Sequence, residues 1–182
     1  MKKVKEVLVC ALVLTLVAGC VTAALAGTNA LTADIIAARI AQTENAARLQ
    51  VMEADRFEQH TQTADDGEFV YHTAVKDGLT VGYVFVTQAV GKSSGLTVMT
   101  GISARGVITG VVVTADNETA GYVDRVEKAG FFQQFTGKEV PLLDVNGDID
   151  TVSQATKTSK GIAAAVDTAI ERYYIVVKEE QE

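Results

Sequence analysis

Between Val7 and Gly27 the chain reads VLVCALVLTLVAGCVTAALAG, about 21 residues without a charged side chain. In hydrocarbon every backbone N–H and C=O must find a partner within the segment, so a lone run of this kind has one stable form, the α-helix. At 1.5 Å per residue it reaches roughly 31 Å, enough to span a bilayer. Lys2, Lys3 and Lys5 precede the run, and the first charged side chain after it is Asp34. That asymmetry predicts a single pass through the inner (cytoplasmic) membrane with the N-terminus in the cytoplasm and everything from about Thr28 outside.

Removal or trimming of the run is the competing reading, because a secretory signal also sets basic residues before an apolar stretch. Val17-Ala18-Gly19-Cys20 resembles a bacterial lipobox, which would leave Cys20 as a lipid-bearing N-terminus, although the apolar run continues through Leu25. Both readings leave the remaining chain extracytoplasmic and tethered. The two cysteines, Cys10 and Cys20, are ten helical steps apart, roughly 15 Å, too far for a bridge. The 182 residues carry a net charge of −7, and three lysines precede the membrane run, so the part outside is more acidic still. Nucleic acid is excluded as a natural partner.

Residues 32–55 hold Ile35, Ile36, Ile40, Leu49, Val51 and Met52 among many alanines, without Gly or Pro, and predict a helix leaving the membrane. From Gly67 the pattern changes to β-branched runs, EFVYHTAV, LTVGYVFVTQAV, GLTVMTGISA and GVITGVVVTA, separated by Gly-containing turns. An antiparallel meander of four strands is expected. Residues 120–128 and 129–137 predict short helices with Phe131, Phe132 and Phe135 clustered, and Asn146-Gly147 marks a tight turn between two short strands. Ile162, Val166, Ile170, Tyr173 and Val177 define an amphipathic helix from about Ser159 to Lys178. The fold class is α+β, divided into an anchor (1–27), a stalk (28–58) and an extracytoplasmic domain (59–182).

Several motifs fail on inspection. Asp144-x-Asn146-x-Asp148 opens like a calcium loop, but Ile149 stands where the loop needs Gly and Ala155 where it needs Glu. Gly91-Lys92-Ser93 ends like a phosphate-binding loop, yet Val86 replaces the required Gly, so it is read as a turn. His60 and His72 lack metal-ligand spacing and are read as surface residues. Neither a metal site nor a catalytic triad can be assembled. No catalytic residue is expected.

The segment DTVSQATKTS, residues 150–159, holds five hydroxyls directly ahead of the last helix. A hydroxyl there can cap an unpaired N–H of the first turn. A helix N-terminus also offers free N–H groups and partial positive charge to a phosphate, to which Lys157 or Lys160 would add. The spacing alone leaves both uses open.

Asp150-x-x-Ser153-Gln154-Ala155-Thr156 resembles the D-x-x-[S/T]-G-A-[T/S] flavinylation motif of FMN-binding domains, and Glu118-Thr119-Ala120-Gly121-Tyr122-Val123 is similar to the E-T-P-G-L-G turn of that family. With the membrane run and the TNALTADIIAARI stalk, the resemblance extends over nearly the whole chain, to the G subunits of Rnf electron-transport complexes, with the C subunit of the sodium-pumping NADH:quinone reductase related. The resemblance implies FMN joined through its phosphate to Thr156 by a flavin transferase. It implies that Ser153, Ala155, Thr158 and Ser159 surround the phosphate, that Asp150 belongs to the segment the transferase reads, and that Glu118, Thr119, Gly121 and Tyr122 lie near the flavin ring.

The implied role is an electron carrier in an ion-translocating ferredoxin:NAD⁺ oxidoreductase, working with integral-membrane and iron–sulfur subunits. Such a carrier needs no acid or base of its own. Three positions depart from the family pattern: Gln154 replaces Gly, Ala120 replaces Pro and Tyr122 replaces Leu. If the backbone at 154 is left-handed, a side chain there is strained. A free-standing FMN-binding lipoprotein and a cofactor-free scaffold domain are the two alternatives.

Overall fold

The computed structural model describes residues 2–65, 67–118, 120–140 and 147–179. The chain divides into two compact units, Met1–Thr43 and Glu44–Glu182. Helix α1 (Lys2–Val51) supplies the whole of the first. Its Leu12, Leu14, Leu16, Val17, Val21 and Leu25 are all exposed, and by length and composition it is able to cross a membrane. Thr15 and Thr22, inside the apolar run, donate their hydroxyls to the carbonyls of Ala11 and Ala18 at 2.9 Å, so neither needs water. The helix predicted to reach residue 55 stops at Val51.

In the second unit strands β1 (Arg56–Ala64), β2 (Gly67–Lys76), β3 (Leu79–Val90), β4 (Ser94–Ser103) and β5 (Ile108–Ala115) form one antiparallel sheet in sequence order. The four predicted runs are β2 to β5. The first strand is additional, and its pairing runs without a break from Arg56↔Val75 to Ala64↔Gly67. Helix α2 (Tyr122–Lys128) and a 3₁₀ turn (Phe132–Gln134) follow the sheet, and helix α3 (Thr156–Glu179) completes the unit. Pro141 and the strand before the Asn146-Gly147 turn lie outside the described residues, and residues 147–150 after it are not strand.

Period-two alternation sends Tyr83 and Phe85 of β3 to one face and Val84 to the other, and all three are buried. On the first face Phe85, Leu96, Val98 and Ile102 meet Ile162, Val166 and Ile170 of α3, with Phe131 and Phe135 closing the same core. Gly161 lets this helix approach, since a Cβ there would lie 2.7 Å from the Val90 carbonyl oxygen. On the second face a smaller core gathers Ala47, Val51, Met52, Ala74, Val84 and Met99. There a Cβ on Gly101 would lie 2.5 Å from the Val51 carbonyl oxygen, so the end of α1 rests on bare backbone. His72, read from sequence as a surface residue, is buried on β2 because this helix end covers it. His60 is exposed and stacks on Tyr71, with ring centres 5.3 Å apart.

Candidate functional site

Helix α3 begins three residues earlier than its apolar periodicity indicated, at Thr156. Its first intrahelical bond runs from the Ser159 N–H to the Ala155 carbonyl at 2.9 Å, which makes Ala155 the residue in the capping position. An alanine has no side-chain acceptor. Among the described residues no acceptor is found for the N–H groups of Thr156, Lys157 or Thr158. The hydroxyls therefore do not cap the first turn, and its N–H groups stay available.

The hydroxyls fall into two sets. Thr158 and Ser159 have no accessible surface, and each is committed: Thr158 Oγ1 donates to Glu118 Oε2 at 3.1 Å, while Ser159 Oγ donates to the Ala155 carbonyl and accepts from the Val152 N–H, both at 3.1 Å. Thr151, Ser153 and Thr156 are exposed. Of these three only Thr156 lines the cleft at the head of α3, about 290 Å³ between Lys92, Tyr122, Gln154, Ala155, Thr156, Lys157 and Thr158. Its hydroxyl has a single long contact, 3.4 Å to the Val152 carbonyl.

The approach to Thr156 is a tight turn. The Ala155 N–H donates to the Val152 carbonyl at 3.0 Å, and Gln154, third of the four turn residues, has φ +65° while Ser153 does not have positive φ. This is the type II pattern, whose third position favours glycine because an L side chain there crowds its own backbone. The glycine of the family motif thus has a physical reason, and Gln154 holds the same conformation against it. Arg125 Nη1 donates to the Gln154 carbonyl at 3.4 Å. At the other end of the segment the Gln134 side-chain amide spans Asp150, accepting from its N–H at 2.8 Å and donating to its carbonyl at 3.1 Å.

Opposite the turn, Glu118 is a structural hub. Its carboxylate accepts from the backbone N–H groups of Lys92 (3.2 Å) and Ser93 (2.9 Å) as well as from Thr158, so it joins the β3–β4 turn to the first turn of α3. Gly91 leaves room for it, since a Cβ there would lie 2.5 Å from Glu118 Oε1. Gly121 precedes α2 with φ +87°, and Tyr122 follows at the edge of the cleft. Lys92 Nζ donates to the Tyr122 hydroxyl at 2.6 Å, and that hydrogen bond holds the phenol below its ordinary pKa. Thr119 lies outside the described residues.

The structure thus brings Glu118, Tyr122, Ala155, Thr156 and Thr158 to one place. Asp150 and Ser153 are exposed and do not line the cleft. Lys92, Arg125 and Gln134 were not singled out from sequence. Nothing local marks them, because each acts on a residue 16 or more positions away.

Residues 91–171 match the FMN-binding domain family and residues 1–51 match the RnfG N-terminal region. The first match opens on the turn that Glu118 holds and closes within α3, so it brackets the cleft. The chain belongs to the RnfG family. An RnfG relative from Acetobacterium woodii, the G-type component of a Na⁺-translocating ferredoxin:NAD⁺ oxidoreductase complex, is 36% identical over 117 residues, covering 59% of this chain and 51% of that protein. The chain thus spans about half the length of that RnfG relative.

Proposed function

We propose that this chain is a membrane-anchored electron carrier that holds FMN through a phosphoester on Thr156 and serves as the G-type subunit of a ferredoxin:NAD⁺ oxidoreductase complex. The observation that carries this reading is the state of the hydroxyls around the head of α3. Thr156 alone of the five is both exposed and on the wall of the cleft, beside N–H groups with no protein acceptor.

These residues fit a phosphodiester. The open N–H groups, the positive end of α3 and the ammonium groups of Lys92 and Lys157 would offset its negative charge. Glu118 would keep the facing turn in place. FMN, when bound, supplies the ability to take and release electrons, which no side chain of this domain provides. Residues 1–27 would anchor the protein in the inner membrane with the domain outside, in contact with integral-membrane and iron–sulfur subunits. Ion movement would belong to the whole complex.

Attachment joins Thr156 Oγ to the FMN phosphorus. Direct condensation with free FMN would have to expel water in water, so the donor is an activated ester such as FAD. The pyrophosphate bond of FAD breaks, AMP leaves, and the hydroxyl proton passes to a base on the flavin transferase. Coexpression with a flavin transferase should raise the intact mass by one FMN less one water and make the band fluorescent in a denaturing gel. Thr156→Val should show neither change. Equal modification of that variant, or an unmodified and colourless wild type, would defeat the proposal.

A further inference from the structure

The attachment segment reaches Thr156 through a turn that its own sequence disfavours. Gln154 is one of two described non-glycine residues with positive φ, and it stands where a type II turn favours glycine. A strained conformation persists only where neighbouring structure holds it. The holding contacts come from outside the segment: the Gln134 amide fixes both backbone groups of Asp150, and Arg125 reaches the carbonyl of Gln154 itself. Both belong to the α2 and 3₁₀ region, which packs into the core through Val126, Phe131 and Phe135. The segment is thereby registered against a rigid support at its first residue and at its strained one.

We propose that Gln134 and Arg125 are positioning residues for flavin attachment: they hold residues 150–155 in the conformation that presents Thr156 to the transferase, and Gln154 makes the chain dependent on them. Gln134 is the stronger of the two, with two short contacts against one of 3.4 Å. The proposal rests on attachment at Thr156. A glycine at 154 would remove the strain and with it the need for the two contacts.

The test uses the full chain in detergent, purified flavin transferase and FAD, with attachment followed by intact mass and with amide hydrogen exchange over residues 150–155 measured before FAD is added. Gln134→Met keeps the length and removes both hydrogen bonds. It should slow attachment on the order of tenfold and speed exchange in the segment, with the melting temperature of the domain changed little. Adding Gln154→Gly to that variant should restore most of the rate, and Arg125→Ala should show a smaller loss that the same glycine also relieves. A Gln134→Met protein with wild-type rate and exchange would overturn the proposal. So would a slow variant that Gln154→Gly does not rescue, since Gln134 would then act by touching the transferase. No mass gain in any protein, the Gln154→Gly variant included, would reject attachment itself and the positioning role with it.

Discussion

The two faces of the sheet are built differently. The face toward α3 is lined by Tyr83, Phe85, Leu96, Val98 and Ile102 and filled by large side chains, and at its rim it fixes the first turn of α3 through Thr158 and Glu118. The face toward the end of α1 is small and lies partly on backbone. It encloses polar groups: Arg48 and His72 are buried, and the Arg48 Nε and His72 Nδ1 atoms have no hydrogen-bond partner. Arg48 is steadied by Glu44 at 2.9 Å and Asn45 at 2.6 Å on its own helix. One face therefore holds the site rigidly by packing, while the other docks the stalk end at a cost that varies with pH.

The largest effect is expected on the α3 face. Phe85→Ala deletes a ring with no exposed surface, and should destabilise the second unit by about 3–5 kcal/mol in denaturant unfolding. A loss below about 1 kcal/mol would mean that this face is not the main core.

Next comes acid. His72 has its pKa lowered from 6.5 to about 4, by burial first and by the Arg48 charge second. The unfolded chain then takes up a proton below about pH 6.5 while the folded one does not until about pH 4. The contribution of His72 is thus complete above the unfolded value, falls as pH drops through this window, and levels off below it, a change of roughly 3 kcal/mol. Urea unfolding of wild type and His72→Leu at several pH values checks this: the variant should lack that part of the slope, and equal slopes would remove the distinction between the faces.

Gly101→Ala should cost about 1–3 kcal/mol, because the new methyl meets the Val51 carbonyl and the Thr109 hydroxyl, which donates to that same carbonyl. Faster hydrogen exchange in residues 44–51, with α3 unchanged, would locate the damage. The smallest effect belongs to Thr158→Val, which removes one donor from Glu118 and should cost about 1 kcal/mol, read as a small shift in melting temperature.

Much of this was legible in the residues. The membrane run, the four apolar strands and the spacing of α3 carry their periods openly. Strand β1 does not: RFEQHTQTA offers almost no apolar alternation, because an edge strand with most residues exposed is held chiefly by backbone pairing to β2. His72 misled for a related reason. Its strand is buried on both faces, and the second cover comes from a helix end whose docking no local pattern announces. At the site, Thr156 was legible from the motif around it, and the departure at Gln154 pointed to backbone strain that the φ of +65° makes concrete. The division between exposed Thr156 and the committed Thr158 and Ser159 was not legible, since helical phase alone does not say which hydroxyls find partners.

The central claim is that one hydroxyl of this cluster carries the flavin. The most direct measurement is tandem mass spectrometry of the tryptic peptide spanning residues 139–157, from protein coexpressed with a flavin transferase. That peptide contains Thr151, Ser153 and Thr156, the three exposed hydroxyls of the cluster. The account predicts the FMN mass on fragments that include Thr156 and on none that exclude it. Placement on Thr151 or Ser153, or an unmodified peptide, would contradict it.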